Sequence, residues 1–211
     1  MRTKIALLGG TFDPIHNGHL RMALELKQQL QLDEMRLLPC HRPPHRAAPA
    51  VTSAQRSALV RLAIAECPQL QVDERELQRE QASYSIDTLT ELRRELGEEV
   101  SLIWVLGVDA FAGLNTWHRW RELLDYAHLA VVGRPGFALP EAGEVAELLR
   151  SRQASASVLD EQSRGAIVLP SLCLLDISAT AIRAQIARGE SPQFLLPDAV
   201  WHSIASQQFY R

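Results

Sequence analysis

Short apolar runs in this chain alternate with longer stretches whose apolar residues recur at helical spacing. That alternation restricts the fold more than any other feature. Residues 4–9 form a brief apolar run ending on Gly9-Gly10, which reads as a strand buried on both faces. A loop follows, and then Leu20, Leu24, Leu26 and Leu30 predict a helix over 18–31. Residues 35–38 read as a second strand. Residues 39–50 carry four prolines and read as a loop. Thr52 or Ser53 can cap a helix running to about residue 66, with Pro68 beyond its end.

The pattern continues. Residues 69–72 suggest a short strand, and a charged stretch over 73–81 follows. Ser83 can cap a helix over 84–96 that stops at Gly97. Residues 100–106 are the most apolar run and predict a central strand. Residues 128–132 predict another, ended by Arg134-Pro135-Gly136. Residues 151–165 are rich in Ser, Ala and Gln and read as a linker. Short strand pieces are expected at 167–169 and 173–175. Helices are expected over 178–188, ended by Gly189, and from Asp198 onward. Strand-helix alternation of this kind predicts a parallel sheet with helices on both faces, and a ligand at the carboxyl ends of its strands. A length of 211 residues suits one such domain, with residues 178–211 packed on it as a helical part.

The formal net charge is −3, which demands no nucleic-acid or anionic-membrane partner. Cys40, Cys67 and Cys173 are far apart and odd in number, which excludes a complete disulfide framework and suits a reducing compartment. The apolar piece near the start is too short for a signal-peptide core. No apolar run approaches the roughly 20 residues of a membrane helix. The protein is expected in the cytoplasm, with small-molecule partners.

Chemistry concentrates in Gly9-Gly10-Thr11-Phe12-Asp13-Pro14-Ile15-His16-Asn17-Gly18-His19. The glycines follow the first strand and let backbone approach a phosphate. Asn17 or a neighbour can cap the next helix, whose entrance offers N–H groups and positive potential to an anion. His16 and His19, three apart, can place both rings on one side of that entrance. Taken singly, a Gly pair is a turn signal and the two histidines could be a metal pair, but zinc would need a third ligand and none is near. A second string, Ile177-Ser178-Ala179-Thr180-Ala181-Ile182-Arg183, offers Ser178 as a cap and places Arg183 one turn from Thr180. Alone it could be a capped helix with a solvated Arg.

At the first string the sequence resembles the nucleotidylyltransferase superfamily, whose (H/T)xGH element reads here His16-Asn17-Gly18-His19. The resemblance implies a Rossmann-like doubly wound α/β sheet of the nucleotidylyltransferase type. It implies that His16 and His19 stabilise the transition state. It also sets Gly9, Gly10, Thr11, Phe12 and Gly18 against the phosphates of ATP, with Gly10 and Thr11 also reaching the acceptor. Ser178, Thr180 and Arg183 match the family's second phosphate signature.

Three more strings narrow the resemblance: Pro43-Pro44-His45-Arg46, Ser83-Tyr84-Ser85-Ile86-Asp87-Thr88-Leu89, and Gly107-Val108-Asp109 followed by Asn115-Thr116-Trp117. Each has a plain structural reading, respectively a Pro-rich surface turn, a capped helix with a packing Tyr, and a capped helix with a core Trp. Together they resemble the bacterial nicotinate-mononucleotide adenylyltransferases. By that resemblance Tyr84, Ser85 and Trp117 line a pyridine pocket, while Asp109 lies near the ATP ribose and Gly107 belongs to the ATP side. His45 and Arg46 lie near the phosphates, and Arg134 lies near the nucleotide. Two positions depart from the family pattern: His118, where an aromatic such as Tyr often follows the Trp, and Ser85, where Thr is common.

The implied substrates are ATP and nicotinate mononucleotide, with Mg²⁺ arriving on ATP. A helix entrance near Tyr84 and Ser85 would favour a nicotinate carboxylate over a neutral amide. Trp117 could stack on the pyridinium, worth ~0.5–2 kcal/mol. The expected chemistry is direct in-line attack of the mononucleotide phosphate on the α-phosphorus, without a covalent enzyme intermediate. Two other readings stand beside it. One is the same chemistry on phosphopantetheine or in a cytidylyltransferase. The other is a non-catalytic nucleotide-binding module on the same fold.

Overall fold

The computed structural model describes residues 2–42, 49, 51–133, 136–173 and 175–211. Its elements run β1 (Lys4–Gly10), α1 (Asn17–Gln29), β2 (Glu34–Pro39), α2 (Ser53–Ile64), β3 (Gln71–Val72), α3 (Ser85–Leu96), β4 (Ser101–Gly107), α4 (Val108–Ala112), β5 (His128–Val132), α5 (Glu144–Arg152), α6 (Val158–Glu161), β6 (Ile167–Val168), α7 (Ala179–Ala187) and α8 (Asp198–Ser206). The six strands form one sheet in the order β3-β2-β1-β4-β5-β6, and every pair is parallel. This is the doubly wound arrangement expected from the alternation. The most apolar strand, β4, lies between β1 and β5 as predicted.

Strand pleating divides the core in two. Ala6 and Leu8 of β1 face one side with Ile103, Val105, Ala130 and Val132, covered by α1, α2, α7 and α8. Ile5 and Leu7 face the other with Leu102, Trp104, Leu106, Leu129 and Val131, covered by α3, α4 and α5. Alternate residues of a strand point to opposite faces, so near-continuous apolar runs are what a two-sided cover requires. α7 and α8 bury Ile182, Ile186, Val200 and Ile204 in the first of these cores. Among the described residues, no helix is long and apolar enough to cross a membrane.

The structure corrects several local expectations. Residues 151–165 are no linker. Val158 and Leu159 of α6 are buried, Ala154 N donates to Ile167 O at 2.9 Å, and Gln153 bridges Ile167 in parallel. The segment covers the short edge strand β6, which would otherwise leave its backbone groups unpaired. Among the described residues no strand forms at 173–175, where Cys173 is exposed. Asn17 does not cap α1. His16 occupies the N-cap position, and Asn17 instead donates from N to Leu195 O and from Nδ2 to Phe194 O, fastening the turn between α7 and α8.

A buried arginine organises the end of the sheet away from the glycines. Arg93 of α3 is only 5% exposed. It donates to Gly97 O, Val100 O, Tyr126 O and Ser163 O at 2.8–3.1 Å. These carbonyls belong to the chain entering β4, β5 and β6, so one guanidinium fixes three strand approaches. Arg93→Met would remove the donor shared by these four carbonyls, whose hydrogen bonds to Arg93 are partly buried. We expect a loss of about 3–5 kcal/mol in urea unfolding, and a loss below about 1 kcal/mol would show that the clamp contributes little.

Candidate functional site

Strand order reverses between β1 and β4, because the helix after β1 and the helices around β4 cover opposite faces. A cleft opens there, beyond the carboxyl ends of both strands. It holds about 720 Å³ and is lined by Gly10, His16, Gly18 and His19 from the first string and by Ser178, Thr180 and Arg183 from the second. Chain ends far apart in sequence meet in one cavity.

The backbone at the mouth of α1 places the two imidazoles. His16 has extended geometry at the N-cap position and makes no side-chain cap hydrogen bond. Its ring stacks on that of His19, with centroids 3.7 Å apart and planes 24° from parallel. His19 is braced in turn by Phe12, edge-on at 5.2 Å. Phe12 is 2% exposed and has φ 47°, a strained conformation for a bulky residue that its buried packing enforces. Phe12 therefore supports a wall of the cleft. A Cβ on Gly18 would lie 3.1 Å from the His16 ring and 3.5 Å from Ile177 Cβ. The missing side chain lets the first motif pass against the second. On Gly10 a Cβ would strike the Phe12 ring at 2.8 Å. Gly9 rests on Trp104, and Thr11 lies on the cleft wall.

Ser178 caps α7, its Oγ accepting from Ala181 N at 3.2 Å. Arg183 Nη2 donates to Thr180 Oγ1 at 3.4 Å, and Nη1 to Asp13 O at 2.6 Å. The second motif is thus hydrogen-bonded directly to the loop of the first.

A third group lies on the other side of β1. Tyr84 is the N-cap residue of α3 and Ser85 its first residue. The expectation that Ser83 caps this helix is incorrect. Ser83 Oγ instead accepts from His41 N and Arg42 N, at 3.2 and 3.4 Å, and ties the loop after β2 to α3. Tyr84 and His118 lie in tilted contact at 4.5 Å. Trp117 follows a 3₁₀ turn over Leu114–Thr116 and lines the same cavity as Tyr84, Ser85 and His118. Gly107 is the N-cap residue of α4, and Asp109 stands in its first turn with Oδ1 folded over Gly107. His45, Arg46 and Arg134 lie outside the described residues.

The comparisons agree with this geometry. The sequence profile described as cytidylyltransferase-like matches residues 7–185. A protein of Cellvibrio japonicus named probable nicotinate-nucleotide adenylyltransferase is 56% identical over 211 residues, the full length of both chains. One of Pseudomonas aeruginosa with the same name is 47% identical over 215 aligned positions, covering 100% of this chain and 99% of that one. In structure, the chain is similar to the nicotinic acid mononucleotide adenylyltransferase of Plasmodium falciparum complexed with NaAD. That match has a TM-score of 0.74 and 16% identity, and it covers 99% of this chain and 97% of that one.

Groups around the cleft that belong to no motif also shape it. Arg56 of α2 is 1% exposed and donates to Thr11 O, to Cys40 O at 2.7 Å and to His41 O at 3.3 Å. It joins the loops leaving β1 and β2. Its signal was a charge at the i, i+4, i+8 positions shared with Val60 and Ile64, the buried stripe of α2. Glu76, 4% exposed, accepts from Thr88 Oγ1 at 2.8 Å and lines the cavity beside Ser83. Burial pushes its carboxyl pKa up, against the hydrogen bonds of Thr88 and Ser83. An acid with a raised folded-state pKa destabilises the fold as pH rises above its unfolded value. Glu76→Gln, with no proton to lose, is therefore expected to be more stable than the parent near neutral pH and to lose that advantage near pH ~4. Urea unfolding at the two pH values checks this, and a parent more stable than the variant at neutral pH would contradict it.

Proposed function

We infer the reaction from the family to which the chain belongs, the nicotinate-nucleotide adenylyltransferases of the cytidylyltransferase-like group. The enzyme transfers the AMP part of ATP to nicotinate mononucleotide, giving nicotinate adenine dinucleotide and pyrophosphate in the synthesis of NAD. The observation that carries this reading is a single cleft shared by two phosphate motifs and by the Tyr84, Ser85 and Trp117 group. One cavity thus has room for a triphosphate and, beside it, a second nucleotide.

The proposed mechanism is direct displacement. An oxygen of the mononucleotide phosphate attacks the α-phosphorus of ATP. A new P–O bond forms as the bond to the β-phosphate breaks, and pyrophosphate leaves with its electron pair. The chain's part is positioning and charge stabilisation. Ring N–H groups of His16 and His19 donate to phosphate oxygens as negative charge builds there. Their mutual stacking and the Phe12 brace support fixed ring positions. Ser178, Thr180 and Arg183 hold the leaving pyrophosphate, and Thr11 with the backbone at Gly9, Gly10 and Gly18 receives the neighbouring phosphates. Asp109 serves the ATP ribose, and Gly107 belongs to the ATP side. His45 and Arg46 are assigned to the phosphates, and Arg134 to the nucleotide, on resemblance alone.

On the acceptor side, the first N–H groups of α3 are oriented to receive the nicotinate carboxylate, since a helix leaves them without intrahelical partners. Trp117 stacks on the pyridine ring. Mg²⁺ is proposed to arrive on the phosphates of ATP, where it would supply charge neutralisation. Three cysteines, odd in number and far apart in sequence, suit a reducing compartment, and we propose the cytoplasm.

The test is pyrophosphate release from Mg²⁺-ATP with nicotinate mononucleotide, nicotinamide mononucleotide and phosphopantetheine compared side by side. Nicotinate mononucleotide should be the preferred acceptor, and His19→Ala should lower its kcat ~10²–10³-fold while leaving the melting temperature near that of the parent. Preference for phosphopantetheine would replace the acceptor assignment. ATP binding without pyrophosphate release for every acceptor would favour a non-catalytic nucleotide-binding module.

A further inference from the structure

The end of the chain returns to the first motif. Tyr210 has a left-handed backbone, φ 66°, and donates its phenolic O–H to Asp13 Oδ1 at 2.7 Å. Burial pushes the phenol pKa upward and the bond to Asp13 adds to the effect, so the group remains a donor at working pH. The other Asp13 oxygen, Oδ2, lies 3.7 Å from Arg183 Nη1. The Asp13 side chain is 12% exposed and that of Arg183 35%, so solvent screens the attraction between this carboxylate and the guanidinium only in part. A carboxylate that closed onto Arg183 as a forked pair would compete directly with phosphate for the same donors. The opposing hydrogen bond, on the far oxygen, comes from Tyr210.

We propose that Tyr210 is a positioning residue for Arg183: its O–H holds the Asp13 carboxylate back and leaves the guanidinium available to the triphosphate. This rests on the phosphate-binding role proposed for Arg183. The penultimate residue of the chain thereby sets how much of the cation's charge reaches ATP.

Tyr210→Phe removes the hydroxyl alone. Calorimetric titration with Mg²⁺-ATP and no acceptor should show Kd about ten-fold higher, the scale of one charge-assisted hydrogen bond. KM for ATP should follow it, while KM for nicotinate mononucleotide stays within about two-fold. Asp13→Asn removes the competing charge without touching the chain end, and should bind ATP as tightly as the parent or more tightly. On that background Tyr210→Phe should change Kd by about two-fold or less. An unchanged Kd in Tyr210→Phe overturns the proposal, as does an equal loss on the Asp13→Asn background or weaker ATP binding by Asp13→Asn alone. A joint rise of both KM values with a lower melting temperature would reduce Tyr210 to packing. Because these titrations need no acceptor, they decide the role of Tyr210 even if the acceptor assignment fails.

Discussion

Arg183 donating to the main-chain carbonyl of Asp13 is the contact on which the site depends. It joins residues 170 positions apart and fixes the distance between the imidazole pair and the hydroxyls of α7. Gly18 lies where the two strings pass one another. A Cβ there would crowd the His16 ring at 3.1 Å and just touch Ile177 Cβ at 3.5 Å.

Two buried arginines hold the frame around that contact. Arg56 serves carbonyls at the carboxyl ends of β1 and β2, and Arg93 serves carbonyls at the amino ends of β4, β5 and β6. Both guanidiniums donate to main-chain carbonyls, which do not cancel the charge as a carboxylate would. For Arg56 this leaves positive potential beneath the loop carrying Thr11, where an anion is to bind. A helix entrance and a buried cation then add their positive potential on the same side of the cleft. Asp13 lies 3.7 Å from Arg183 and also acts electrostatically on Arg56.

Much of this was legible in the chain. Strand periodicity gave the sheet, and the spacing of Gly10, His16, Gly18 and His19 marked the loop after β1 because phosphate sites need bare backbone followed by donors. What escaped notice did so for physical reasons. The 3₁₀ turns between α4 and β5 lack the 3.6-residue period. α6 hides two buried side chains, Val158 and Leu159, in a polar run, so composition misread it as a linker. Ser83 looks like a cap by residue type, yet its oxygen accepts from the loop after β2 and Tyr84 takes the N-cap position. Nothing local to Tyr210 signals a partner 197 positions away. That contact exists only once α8 has packed on the sheet.

The central claim is that the stacked histidines and the first turn of α7 grip one triphosphate. A crystal structure of the chain with Mg²⁺ and a non-hydrolysable ATP analogue tests it most directly. The account predicts phosphate oxygens within hydrogen-bond reach of His19 on one side and of Thr180 and Arg183 on the other. A triphosphate bound to only one of these groups, or placed outside the cleft between β1 and β4, would contradict it.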